Sequence, residues 1–497
     1  MFLAFAALLP AVVAQGQNAA QKYVEQLKTT DELKEAVWGI SAVRVGGGTV
    51  AEYNSRIRMM PASNAKVFTT GLALNELGAD YRFRTRLAYS GSIEDGVLKG
   101  DLYIVGGGDP TIGARDSVAF ALRKTFSEWE RLVRSAGIRS IEGCIVGDGR
   151  WLDCEPQNVS WQLEDAANGD GAVMSGLGFF DGLQAFTVAP GAKVGDPLKI
   201  TPTFPETPWM EWSHTAVTGP ADSGDLLYYA CTDLAPVASM TGSLAVGTAS
   251  KRVTCNNPFG ALTCAFYFYR YLEDLGIVAT EGPADVDPHG RLRDFSGEGE
   301  LPPAASLDSL KFIGESLSPA LKDIIRQTNG QSDNYYAEAL LRILAKEKTG
   351  SARFESCQEV RQAAFDRLGV AGAERMQFHD GSGLARKNYV TPGFTVRFLT
   401  AMTKTKSYDD FLLSLPQAGS GTLASRLRSV PETVRSRVRM KSGSMNGVRC
   451  FSGYILSSDG KPENTIAFSI MTNNTVVPSS RINFIMDRII SLLAEEN

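Results

Sequence analysis

The sequence predicts an α/β (α+β) fold: an antiparallel sheet flanked by helices, interrupted by two nested, mainly-β insertion domains. Three observations lead there. Strand-like alternation appears near both ends of the chain, a middle rich in Gly, Pro and aromatic residues separates the two ends, and 497 residues exceed one ordinary core.

In chain order, Gln21 to Val37 has a helical pattern and Gly39 to Val45 alternates like a strand. Gly46-Gly47-Gly48 then turns the chain, and Thr49 to Tyr53 returns along it. After Pro61 an apolar helical pattern runs through Val67, Phe68, Leu72 and Leu74. Short strand-like pieces follow at Val97 to Val105 and Ala192 to Thr203, with helical patterns at Leu122 to Ala136 and Gly260 to Leu275. Pro319 to Thr328 and Tyr335 to Lys346 read as helices joined by a turn. Arg437 to Ser444, Val448 to Leu456 and Thr465 to Thr472 read as antiparallel strands, with Asn446-Gly447 and Asp459-Gly460 as turn dipeptides. Ile482, Ile485, Met486, Ile489, Ile490 and Leu493 form one apolar face of a last helix. These elements divide into a terminal unit of residues 21–85 and 300–497, an insertion of 86–164 and 256–299, and a second insertion of 165–255 nested within the first.

The composition, 43% apolar and 21% charged, is that of a globular protein. The net charge of −5 is spread along the chain, and no basic run points to nucleic acid. Residues 1–14 read as a secretory signal, since Phe2 to Val13 is apolar apart from Pro10 and polar Gln15-Gly16-Gln17 follows. No Lys or Arg precedes the run, and a buried N-terminal helix is the alternative. No later segment is apolar for long enough to span a bilayer, so export to the periplasm or another extracytoplasmic space is expected. Seven cysteines lack C-x-x-C spacing, and three histidines (214, 289, 379) lack H-E-x-x-H, so neither a metal nor another cofactor is expected. Cys144 with Cys154, and Cys255 with Cys264, are close enough in sequence to pair.

Three short motifs carry the chemistry. In Ser63-Asn64-Ala65-Lys66, Pro61 places Ser63 near a helix N-terminus, and Lys66 lies three residues on, on the same face. Lys66 can act as general base for the Ser63 hydroxyl if burial and a second cation, Lys441, lower its pKa. Taken alone the motif is equally a Ser cap and a solvated Lys, and the chain repeats S-x-x-K by chance at Ser458 to Lys461. Ser332-Asp333-Asn334 lies in the turn between two helices. It is either a helix cap or a source of a proton relay (Ser332) and a substrate-amide contact (Asn334). Lys441-Ser442-Gly443 lies on a strand. It is either an ordinary edge or a holder of a substrate carboxylate through Lys441 and Ser442. Gly443 would leave room for an acyl group, and the Ser444 N–H would complete an oxyanion hole with that of Ser63. No G-x-S-x-G elbow exists, and His379 to Gly383 and Gly106 to Pro110 read as structural turns.

In this order the motifs resemble the S-x-x-K, S-D-N and K-T-G set of penicillin-recognising serine enzymes. The chain is similar, in particular, to the class C low-molecular-mass penicillin-binding proteins, which are D-alanyl-D-alanine carboxypeptidases and endopeptidases. Gly100 to Thr111, Asn334 to Leu341, Asp380 to Leu384 and Ala418 to Leu423 also resemble stretches of that family. The 269-residue separation of Ser63 from Ser332 sets the chain apart from β-lactamases and simpler carboxypeptidases. The resemblance implies a transpeptidase-like domain, no metal, peptidoglycan stem peptides as substrates and β-lactams as acylating inhibitors. It implies Ser63 as nucleophile, Lys66 as base and Ser332 as relay, with Asn334, Lys441 and Ser442 on the substrate. Ser442 replaces the commoner Thr, and Asp333 stands where Asn is commoner. A β-lactamase, an S-x-x-K esterase and a non-catalytic wall-binding protein are the alternatives.

Overall fold

The computed structural model describes residues 18–171, 173–293 and 302–497; the signal-peptide expectation for residues 1–14 lies outside the described residues. Both chain ends meet in one five-stranded antiparallel sheet, in the order Thr49–Tyr53, Val37–Arg44, Ile466–Asn473, Val448–Ile455, Val438–Met445. Both faces of the sheet are covered. Ile466, Phe468 and Ile470 pack with Val24, Leu27 and the apolar face of helix Ser479–Glu495. The alternate residues Ala467 and Met471 pack with helices Ala65–Leu77 and Pro392–Met402.

The second face belongs to a helical layer centred on Phe68. Its ring lies 5.0–5.9 Å from those of Phe365, Phe378, Phe394 and Phe398, within the range of favourable aromatic pairing. Helices Leu321–Gln331 and Asn334–Thr349 share this core, which fixes the turn between them relative to helix Ala65–Leu77.

Six strands build the insertion sheet, in the order Leu292–Arg293, Pro283–Val286, Ile145–Asp148, Leu102–Val105, Arg84–Tyr89, Lys311–Leu317. Trp129 and Phe126 of helix Leu122–Ser135 pack on Phe268 of helix Gly260–Asp274. The stretch between these helices contains two three-stranded sheets and a two-stranded one around a small core of Phe186, Val188, Tyr229 and Met240.

Five expectations are corrected. The first helix is Ala19–Leu27 and does not reach Val37, because Thr29 and Thr30 turn their hydroxyls back onto the Gln26 and Leu27 carbonyls and close it. Val97 to Val105 is two strands, broken where Gly100 (φ +148°) passes so close to Ser90 that a Cβ would lie 2.4 Å from its carbonyl oxygen. Ala192 to Thr203 is a strand only over Lys199–Thr203. Lys311–Leu317, expected in the terminal unit, pairs with Arg84–Tyr89 at the edge of the insertion sheet. The adjacent cysteines do not bridge either: Cys154, Cys255 and Cys264 are thiols, and burial raises the pKa of each.

The insertion grips the helix that follows the S-D-N turn. Arg342 pairs with Glu155 at 2.8 Å, Lys346 with Asp153 at 3.1 Å, and the Tyr336 hydroxyl donates to Asp116. Phe68→Ala is expected to cost about 3–5 kcal/mol, because a fully buried ring leaves a cavity that four rigid neighbours cannot fill. Chemical denaturation of the two proteins checks this, and a loss under about 1 kcal/mol contradicts the central place of the ring.

Candidate active site

Ser63 sits in a single turn of 3₁₀-helix, Ala62–Asn64, that leads directly into helix Ala65–Leu77. The turn is held from several sides. The Met60 N–H donates to Asn473 Oδ1 at 2.7 Å, and the Asn64 amide donates to Ser452 Oγ at 2.7 Å. Ala62 is left-handed (φ +47°), an uncommon conformation for a residue with a Cβ, so the surroundings hold the nucleophile turn in its shape.

Lys66, in the first turn of the helix, is 0% exposed. Its Nζ lies 3.1 Å from Ser63 Oγ and donates to Asn334 Oδ1 at 2.6 Å and to the Ser382 carbonyl at 2.7 Å. Burial brings its pKa down to about 8, against the opposing pull of Asp380, Asp333, Glu338 and Asp170. An amine at this point has a substantial neutral fraction in mildly alkaline solution and can accept the Ser63 proton.

Ser332 is the left-handed residue (φ +63°) that ends helix Leu321–Gln331, and Asp333 caps the next helix by accepting the Tyr336 N–H at 2.9 Å. Asp333 is therefore a cap, and the flanking Ser332 and Asn334 are free to point elsewhere. Lys441 Nζ donates to Ser332 Oγ at 2.9 Å and to the Ser442 carbonyl at 2.7 Å. Its pKa is held well below the ordinary range, first by burial and then by the charge of Lys66. The two lysines and two serines thus form two amine–hydroxyl pairs, Lys66 with Ser63 and Lys441 with Ser332.

Strand Val438–Met445 is the outer edge of its sheet. Its first half is covered: the Met440 N–H donates to the Pro416 carbonyl, and the Val438 carbonyl accepts from Ala418. Because N–H direction alternates along a strand, the N–H groups of Ser442 and Ser444 point to the same outer side as that of Met440. Beyond Met440 no strand covers this side among the described residues, so the edge can take up an extended peptide.

Two expectations change. Gly443 does not make room for an acyl group: a Cβ there would lie 2.6 Å from the Pro61 carbonyl and 3.0 Å from Asn64 N, so the glycine lets the strand close onto the nucleophile turn. Lys441 is fully buried with its Nζ on the Ser442 carbonyl, and what this edge presents instead is the Ser442 hydroxyl, 3.3 Å from that of Thr422. Asn334 is also more engaged than expected, with its amide nitrogen donating to the Asp170 carbonyl of the nested insertion at 2.9 Å.

Sequence reasoning missed the Asp380 to Ala385 turn as part of the site. Its Ser382 carbonyl holds Lys66, while Glu338 accepts the Gly381 and Ser382 N–H groups at 2.9 and 2.8 Å. Asp380 accepts from Gly383, Asn388 and the Trp161 indole. Gly383 (φ +88°) passes so close to the nucleophile turn that a Cβ would be 1.9 Å from the Ala62 carbonyl. The signals were the run of small residues in Asp380 to Gly383 and the resemblance of Asp380 to Leu384 to a stretch of the family. His379 engages Ser160 and Gln377 and takes no part. Among the described residues no cluster of His, Cys, Asp and Glu could hold a metal, and no helix is long and apolar enough to cross a membrane.

A model of the D-Ala-D-Ala carboxypeptidase 3 (S13) family matches residues 20–282 and 300–495. The chain is 30% identical over 462 residues to a D-alanyl-D-alanine carboxypeptidase of Actinomadura sp. (strain R39), covering 90% of this chain and 79% of that one. It is 24% identical over 431 residues to D-alanyl-D-alanine carboxypeptidase DacB of Haemophilus influenzae, covering 83% of this chain and 80% of that one. Among solved structures, penicillin binding protein 4 of Haemophilus influenzae superimposes with a TM-score of 0.78 at 20% identity, over 96% of this chain and 99% of that one. A likeness at that identity shows the fold.

Acylation of Ser63 by a penicillin is expected to rise with pH along a limb near pH 8, since the base must lose its proton. Glu338 raises the Lys66 pKa by its charge, so Glu338→Gln is expected to move that limb to lower pH while keeping the oxygen that accepts the two N–H groups. Stopped-flow acylation across pH 6–10 (roughly two units either side of the limb) measures both effects, and an upward shift in the variant contradicts the assignment.

Proposed function

Since the chain belongs to the D-Ala-D-Ala carboxypeptidase 3 (S13) family, we propose that it cleaves peptidoglycan stem peptides through an acyl-enzyme on Ser63. It is a serine D-Ala-D-Ala carboxypeptidase/endopeptidase. The observation that carries the reading is the contact of a fully buried Lys66 amine with Ser63 Oγ at 3.1 Å.

In the proposed sequence, neutral Lys66 takes the Ser63 proton as Oγ attacks the carbonyl of the penultimate D-alanine. The N–H groups of Ser63 and Ser444 receive the developing oxyanion. As the C–N bond breaks, the proton that Lys66 took from Ser63 passes to the departing amine by way of Ser332, which Lys441 positions at 2.9 Å, and Lys66 is neutral again. Water then attacks the ester, Lys66 again serving as base, and releases the shortened peptide. The open strand edge aligns the peptide, and the hydroxyls of Ser442 and Thr422 take its terminal carboxylate, with the charge of Lys441 behind them. β-Lactams acylate Ser63 by the same first step. Action outside the cytoplasm fits a peptidoglycan substrate and the apolar start of the chain.

Fluorescent penicillin is expected to label the protein covalently and to leave Ser63→Ala unlabelled; a label that survives the substitution contradicts the proposal. Release of D-alanine from a pentapeptide, and of amine from a cross-linked muropeptide, measures the two activities of the family separately. Ser442→Ala with Thr422→Ala is expected to raise KM about ten-fold or more for a substrate with a free carboxylate. The same double variant should leave an amidated substrate almost unaffected, and steady-state kinetics on both peptides reads the difference.

A further inference from the structure

A cavity of about 580 Å³ lies away from the Ser63 site, where the chain around Arg56, the turn at Gly372 and the start of helix Pro392–Met402 converge. Four arginines line it: Arg56, Arg58, Arg375 and Arg397. None of its lining residues belongs to the catalytic constellation.

Three of the four are anchored through Nε alone. Arg58 Nε donates to the Arg375 carbonyl at 2.7 Å, Arg397 Nε to the Ala371 carbonyl at 3.2 Å, and Arg375 Nε to Glu374 at 3.1 Å. Their terminal nitrogens, and the whole Arg56 guanidinium, have no hydrogen-bond partner among the described residues. All four side chains are exposed, and Arg397 lies close against its neighbours. Its terminal nitrogens pass 3.3 and 3.6 Å from where Cβ atoms would stand at Gly372 and Gly393, and its guanidinium lies over the Phe394 ring at 5.8 Å.

Little negative charge faces this cluster. Glu374 is exposed and already paired with Arg375, and Glu52, in the adjoining hollow, receives the Ser55 hydroxyl. Burial, then the charges of Arg375 and Arg56, hold the Arg397 guanidinium below its ordinary range, against the smaller opposing pull of Glu374. The buried arginines of the chain are committed by contrast: Arg342 to Glu155, Arg426 to Asp487, Arg361 to the Asp380 carbonyl. What sets these four apart is that they converge on one cavity.

We propose that this cavity is a binding site for a phosphate-bearing anion, a phosphomonoester, diphosphate or phosphodiester head. Guanidinium edges match the oxygens of phosphate in paired hydrogen bonds. Three guanidiniums without a carboxylate partner call for more charge and more acceptor oxygens than one carboxylate supplies. The cavity is also larger than a bare phosphate and accommodates the group that carries it.

The test uses the full chain and isothermal titration with inorganic pyrophosphate at ionic strength matched with sodium chloride. Saturable one-to-one binding is expected. It should weaken at least ten-fold in Arg56→Gln/Arg397→Gln and stay unchanged in Arg123→Gln/Arg131→Gln, which removes the same charge from a distant helix. Flotation with phosphatidylglycerol and phosphatidylcholine vesicles separates the sources. Phosphatidylglycerol-dependent flotation lost in the first variant assigns a lipid head, whereas pyrophosphate binding without flotation assigns a soluble phosphate. Penicillin acylation of Ser63 should be equal in all forms, which shows that the variants are folded. Neither binding nor flotation, or equal binding in Arg56→Gln/Arg397→Gln, overturns the proposal.

Discussion

The structure turns on an ammonium group that has no access to water. A charge taken fully out of solvent is very costly unless acceptors surround it, and Lys66 meets this requirement with three oxygens from three distant parts of the chain. The Ser63 turn, the S-D-N turn and the Ser382 carbonyl must each be in place for the group to be tolerated. The same burial that demands these partners lowers the amine's pKa toward the range where it can work as a base. Placing the lysine and activating the serine are one physical event.

Each of the three oxygens has its own rigid support. The nucleophile turn is tied to the sheet through Asn473 and through Asn64, Ser452 and Ser469, a short polar ladder in an otherwise apolar layer. The S-D-N turn is fixed by the two helices that share the Phe68 core, and by the insertion that grips the second of them. The Ser382 turn is held by two carboxylates, Glu338 and Asp380, that spend their acceptor capacity on backbone N–H groups. Those carboxylates also offset part of the desolvation of Lys66, so the scaffold of the turn and the pKa of the base are set by the same groups.

Much of this was legible in the chain. Alternation over Gly39 to Val45, and apolar runs set off by the turn dipeptides Asn446-Gly447 and Asp459-Gly460, marked strands of the terminal sheet. Ser63, Lys66, Ser332, Asn334, Lys441 and Ser442 were readable because the chemistry needs those residue types at short, fixed spacing. The Ser382 carbonyl and the Asp170 carbonyl on Asn334 were not, because backbone atoms carry no residue-specific signal. The pairing of Lys311–Leu317 with Arg84–Tyr89 was not legible for a related reason: local pattern does not name a strand's partner.

The sequence by itself determined an α/β chain that carries S-x-x-K, S-D-N and K-S-G motifs in that order, because periodicity and motif spacing are local properties. Only the tertiary structure decided that Lys441 is buried with its Nζ on the Ser442 carbonyl and that Gly443 serves the closure of a strand on the Ser63 turn. It alone brought four arginines around one cavity. Burial, close approach and the sum of charges depend on which segments meet, and that follows from the packing of the whole chain.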